Sequence, residues 1–162
     1  MQPTVTTTSG GGDSMAKLRQ QLAKIAQTDV YVGVPEDETN RNSGAMTNAG
    51  LLYIHTHGSA LQHIPARPVL EPAIEAPDNA ALITKQLGEA ARSTLSAKPG
   101  DAKDHLNQAG MLARNAAIRW FVDPRNGWAP NAPSTIAEKG SDRPLINTAQ
   151  MRRSITFLVE DE

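Results

Sequence analysis

Three of the four histidines fall within nine positions, as His55, His57 and His63. This spacing resembles that of some metal sites. In an extended chain His55 and His57 point the same way and could share a cation. On a helix, two positions apart is about 200° of rotation and they diverge. A small metal-dependent hydrolase built on this cluster would also need a carboxylate, as base or as orienting partner. No acidic residue lies between Thr39 and Leu70, so surface or interface histidines are the simpler reading. Asp101, Asp104 and His105 stand at helical i, i+3 and i+4 and could approach one cation. Acidic residues in a first helical turn are, however, favoured by the helix dipole alone, by about 0.3–1 kcal/mol each.

Other chemistry is thinner still. Gly10-Gly11-Gly12 lacks the G-x-x-x-x-G-K-[ST] spacing and any preceding strand of a phosphate loop. No serine sits in a nucleophile elbow. Cysteine is absent, which removes thiolate nucleophiles, disulfides and cysteine zinc sites. The residues therefore predict no catalytic constellation, no bound metal, no cofactor and no enzyme. Lys139, Arg143, Arg152 and Arg153 make a basic stretch, but Glu160, Asp161 and Glu162 follow it. With 16 basic and 17 acidic side chains, the chain carries no overall electrostatic footprint for nucleic acid. A nucleic-acid-binding module using this stretch would show affinity falling steeply with salt; a surface face or intersubunit ion pairs is the default.

The elements that would position these residues follow from periodicity. Residues 1–13 are dominated by Thr, Ser and Gly and predict a flexible N-terminal arm. A helix is expected over 14–27, with Met15, Leu18, Leu22, Ile25 and Ala26 as its stripe and Asp13 or Ser14 as cap. Val30, Val32 and Val34 alternate with Tyr31 and predict a half-buried strand over 29–34. Residues 35–45 read as a polar loop. Residues 47–57 suit a short helix capped by Thr47 or Asn48, or a buried strand through Leu51-Leu52-Tyr53-Ile54. Three prolines over 64–76 predict an extended link through Arg67, then a turn or two of helix.

Two long helices follow. The first spans 78–96, capped by Asp78 or Asn79, with stripe Ile83, Leu87, Ala90, Ala91 and Leu95 and a stop at Ala97-Lys98-Pro99-Gly100. The second spans about 101–122, with Leu106, Ala109, Ala113, Ala116, Ala117 and Trp120 on a narrow Ala-rich face that lets a neighbour approach closely. Residues 123–144 hold four prolines and two glycines and read as a long loop, of the kind that is functional or orders on assembly. Asn147 or Thr148 caps a short helix to Arg153, and Ile155, Phe157 and Val159 alternate in a final strand. The fold class expected is α+β. A small antiparallel sheet packs on three main helices, with extended arms and a long Pro-rich loop, in one domain over 14–162.

Composition fits this picture. Leu, Ile, Val and Phe number 31 of 162 residues, which predicts a thin core: burial is worth roughly 25 cal/mol per Å² and Ala supplies little area. Only Val5 and Ile136 of these fall in residues 1–12, 35–45 and 123–144. The core should fold, and the polar segments should order against neighbouring subunits. No apolar run approaches the ~20 residues needed to span a bilayer and no secretory signal is visible, so a soluble cytoplasmic protein is expected.

Two segments carry a resemblance. The first is Asn48-Ala49 through His55-Thr56-His57-Gly58, followed by Ile64-Pro65-Ala66-Arg67-Pro68-Val69-Leu70. The second runs Trp128-Ala129-Pro130, Ser134-Thr135-Ile136, Lys139-Gly140, then Pro144-Leu145-Ile146-Asn147-Thr148-Ala149-Gln150-Met151-Arg152-Arg153-Ser154-Ile155. Together, over about residues 14–160, they resemble the head–tail joining and tail-completion (virion morphogenesis, or neck) proteins of long-tailed bacteriophages. The family often has Glu and an aromatic where this chain has Thr56 and His57, often Phe at Val69, and usually Gly at Ala149.

The resemblance implies a non-enzymatic protein of the virion neck or tail, present in the host cytoplasm during assembly. Its copies would form a ring, usually of six, between portal or head-completion proteins and tail tube or terminator proteins. Genomic DNA would pass through without being specifically bound, and no membrane is involved. Candidate interface residues are Pro65, Arg67 and Pro68 in the stiff IPARP segment, Trp128 and Pro130 in the long loop, and Arg152 and Arg153. Arg67 offers a donor fork for a partner's carboxylate or carbonyl. Trp128 either anchors the loop on a neighbour or packs over its own core.

Overall fold

The computed structural model describes residues 11–35, 46–96, 99–146 and 149–161. The polar loop, the Ala97-Lys98 stop, the Asn147 or Thr148 cap and most of the N-terminal arm lie outside them. The elements are α1 (Gly11–Ala26), β1 (Thr28–Gly33), α2 (Asn48–His57), α3 (Leu70–Glu75), α4 (Pro77–Leu95), α5 (Pro99–Trp120), a 3-10 turn (Pro124–Asn126), α6 (Pro133–Lys139), α7 (Gln150–Arg153) and β2 (Thr156–Asp161). The class is α+β as expected. The two strands pair antiparallel, with Val32 opposite Phe157 and Val30 opposite Val159. Both strands pack on α5, and α5 packs along α4.

The Ala-rich face of α5 is the spine of the core. Leu106, Ala109, Ala113, Ala116, Ala117 and Trp120 are all buried, as their spacing requires. Small side chains let β2 come very close: Gly110 lies under the ring of Phe157, and a Cβ there would overlap it, with Cγ at 2.9 Å. One cluster joins this face to Leu52, Val69, Ala73, Met151, Ile155 and Phe121. Its only large side chains with essentially no exposure are Ile155 and Val69.

The local expectations meet several corrections. The helix α1 begins at Gly11, inside the expected arm, which places Asp13 and Ser14 in its first turn and not at its cap. Residues 48–57 are helical. The Thr47 hydroxyl caps them by accepting from Gly50 N at 3.0 Å, which decides between helix and strand. Helix α4 starts one residue early, with Pro77 at its first position and no side-chain cap. Proline there loses no hydrogen bond, and its φ is already helical. Asn79 instead donates to the Ala73 carbonyl at 2.8 Å, and Asp78 pairs with Arg125. Pro99 and Gly100 open α5. The long loop over 123–144 is partly helical, holding the 3-10 turn and α6.

The stripe of α4 is turned from its expected direction. The more buried residues are Asn79, Ile83, Gln86, Ala90 and Thr94, while Leu87 (42% exposed), Ala91 and Leu95 (55% exposed) face outward. Polar groups on the inner face are satisfied locally. Thr94 donates to the Ala90 carbonyl at 3.0 Å, and His105 Nδ1 of α5 donates to Gln86 Oε1 at 2.8 Å. On α1, Leu18 is half-buried while Met15 and Leu22 are exposed.

Candidate functional site

Gly58 ends α2 with φ 73° and ψ −179°, a region open essentially to glycine alone. A Cβ there would lie 2.8 Å from Ala66 N and from Ile64 O. Residues 59–64 then fold back as a tight loop, with Ser59 and Ile64 exchanging backbone hydrogen bonds at 2.8 and 2.9 Å. This return brings the IPARP segment alongside α2, where Arg67 N donates to the His55 carbonyl at 2.6 Å.

Arg67 joins the IPARP segment to the loop that carries Trp128. Its side chain is 7% exposed. Nε and Nη2 both donate to the Ala129 carbonyl, at 3.2 and 2.9 Å, and Nη2 also reaches the Pro130 carbonyl at 3.1 Å. The donor fork expected to serve a partner therefore grips this chain's own loop. Prolines make that loop a good acceptor, since they leave carbonyls exposed while contributing no N–H to satisfy them locally. Trp128 follows the second of its two readings. Its Nε1 donates to the Pro68 carbonyl at 3.1 Å, and its ring stands edge-on to Phe121 at 5.9 Å. So the 128–131 stretch packs on its own domain and does not wait for a neighbour. Asn131, also buried, donates to the Asp142 carbonyl at 3.0 Å.

The remaining candidates scatter. Arg152 is half-buried and its Nε donates to the Ile118 carbonyl at 3.0 Å, which ties α7 to the end of α5. Pro65, Pro130 and Arg153 are exposed, and Pro68 is half-buried. The basic stretch is dispersed: Lys139 Nζ donates to the Arg143 carbonyl at 2.8 Å, while Arg153 points to solvent.

The histidines are not brought together as a metal site. Because residues 48–57 are helical, His55 and His57 diverge. His57 Nδ1 donates to the Tyr53 carbonyl at 2.9 Å and its ring lies 4.3 Å from the Tyr53 ring. Among the described residues no three His, Cys, Asp or Glu side chains could hold one ion. Also among them, no helix is long and apolar enough to cross a membrane.

A cleft opens where these segments meet. Its inner part, about 200 Å³, is lined by His55, Arg67, Asn131, Thr135, Lys139 and Gln150 with apolar neighbours. It continues past His55, Arg67, Asn131 and Thr135 into a broad groove beneath the 59–64 loop. Among the described residues, neither part is lined by Asp or Glu. Burial pulls Arg67 below the ordinary guanidinium value. Burial first, and repulsion from Arg67 second, hold Lys139 below the ordinary ammonium value. Arg67 and Lys139 lie far apart in the sequence, and only the fold makes them neighbours.

An exposed ion network sits elsewhere. Arg125 bridges Asp78 at the start of α4, at 2.8 Å, and Asp123, at 2.7 Å, and lies 5.6 Å from the centre of the Trp120 ring. Its hydrogen bonds to the Asp123 carboxylate lower that group to about 2.

No family model, curated protein or solved structure matches this chain.

Proposed function

We propose that this chain is a structural subunit of a bacteriophage neck, one of a ring of identical copies joining the DNA-filled head to the tail. The observation that carries the proposal is the outward-facing stripe of α4. Leu87, Ala91 and Leu95 repeat every four residues on one exposed face. A single leucine at the surface means nothing, but a periodic apolar stripe marks a surface built for a partner. The thin core of the isolated subunit agrees with burial completed on assembly.

The two segments that resemble the neck family also support the reading. They meet through Arg67 and the Ala129 and Pro130 carbonyls, and they share one apolar cluster. A segment pair that must cooperate structurally is more specific than either alone. The hydrolase reading loses its histidine geometry, and of the basic stretch Lys139 and Arg152 are engaged by carbonyls of the same chain. In the ring, the stripe of α4 would meet a different surface of the next copy, a head-to-tail contact that closes when the rotation allows. The test is deletion of the gene from the encoding phage, followed by electron microscopy of lysates. The proposal expects filled heads and separate tails, rescued by the native gene in trans. Normally joined particles would end it.

A further inference from the structure

We infer that the cleft between Arg67 and Lys139 is a binding site for an oxyanion, a carboxylate or phosphate group. It does not depend on the neck proposal. A buried charge is normally paired, because desolvation costs several kcal/mol that only a counter-charge or full hydrogen bonding recovers. Arg67 is buried, yet no carboxylate among the described residues pairs with it; its partners are two carbonyl oxygens. Those bonds use Nε and Nη2, and no described group takes up Nη1. Lys139 lines the same small cavity, with one Nζ hydrogen bond to a carbonyl and two donors beyond it.

Burial lowers both groups, and repulsion from Arg67 adds to the lowering of Lys139, which shares its cavity. Asn131 and Thr135 line the same cavity and add polar side chains to it. Among the described residues, no Asp or Glu lines the cleft. An anion entering would remove the repulsion and gain charge-assisted hydrogen bonds from a rigid guanidinium. Its source is either a free small anion or a carboxylate side chain of a second copy of this chain.

The test uses the full chain with sodium phosphate, and separately sodium acetate, titrated calorimetrically against sodium chloride at matched ionic strength. Saturable binding is the criterion, because phosphate also stabilises proteins non-specifically by exclusion from their surface. Lys139→Met should weaken binding at least tenfold, with its circular dichroism unchanged. Lys85→Met, on the exposed face of α4, should leave binding as it was. Light scattering separates the sources. If phosphate dissociates oligomers, the natural occupant is a neighbour's carboxylate; if mass is unchanged, it is a free anion. Absence of saturable heat with both anions, or equal affinity in Lys139→Met, would overturn the inference and leave Arg67 a purely structural staple.

Discussion

The ring of Phe157 on β2 lies directly over Gly110 of α5, closer than any side chain at position 110 would permit. This contact sets the distance between sheet and helix. Glycine in a helix interior ordinarily costs about 1 kcal/mol relative to alanine, so Gly110→Ala should stabilise an isolated helix. In the folded chain it should instead destabilise, by about 1–3 kcal/mol, as an overpacked contact does. Phe157→Ala alone leaves a cavity. The double variant Gly110→Ala/Phe157→Ala should be more stable than the sum of the single losses predicts, as read from urea midpoints in a double-mutant cycle.

Backbone strain gives a second pair of expectations with opposite signs. Ala149 stands before α7 with φ 60°. The left-handed region costs a non-glycine residue roughly 1–2 kcal/mol, so Ala149→Gly should stabilise by about 0.5–1 kcal/mol after glycine's larger unfolded-state entropy is counted. Gly58→Ala should destabilise by more than 2 kcal/mol, roughly the strain of a glycine-only conformation with a backbone clash added. Thermal unfolding of the two variants beside the native chain reads both signs.

Acid should loosen the join between the 3-10 turn and α4. Asp123 titrates at about 2 in the fold against an ordinary 3.8. A lowered folded value means the contribution is present above the unfolded value and is lost as pH falls through the folded one. Stability of the native chain should therefore fall between about pH 4 and pH 2 through this group, with Asp78, also lowered by Arg125, acting in the same direction. Arg125→Met should flatten that part of the profile while leaving other carboxylates unchanged, as measured by urea unfolding at stepped pH.

The α4 stripe separates folding from assembly. Leu87→Glu and Leu95→Glu change exposed positions, so each should alter the stability of the isolated chain by no more than about 0.5 kcal/mol. On the proposed neck role, both should abolish rescue of head–tail joining when supplied in trans. Rescue at native levels by the double variant would show that this face meets no partner.

Much of the fold was legible because its signal is periodic. The Ala-rich face of α5 and the alternation in both strands map directly onto burial. The α4 face was not, because hydropathy ranks Leu87 and Leu95 above Asn79, Gln86 and Thr94, while bonds to the Ala73 carbonyl, to His105 and to the Ala90 carbonyl let those polar residues sit on the inner side. The roles of Arg67 and Trp128 were legible as residue types suited to binding, but their partners were not. The carbonyls they reach lie some sixty positions away in sequence, and only the folded chain brings them together. Lys139 beside Arg67 was invisible for the same reason, and the left-handed Ala149 became meaningful only once its φ was seen.

The proposed neck role is tested most directly by a cryo-electron microscopy map of the neck in the phage particles to which it assigns this chain. The account predicts a closed ring of this fold between portal and tail, with Leu87 and Leu95 buried against the adjacent copy. A well-resolved neck containing no density for this chain, or a ring in which that face is turned to solvent, would contradict it.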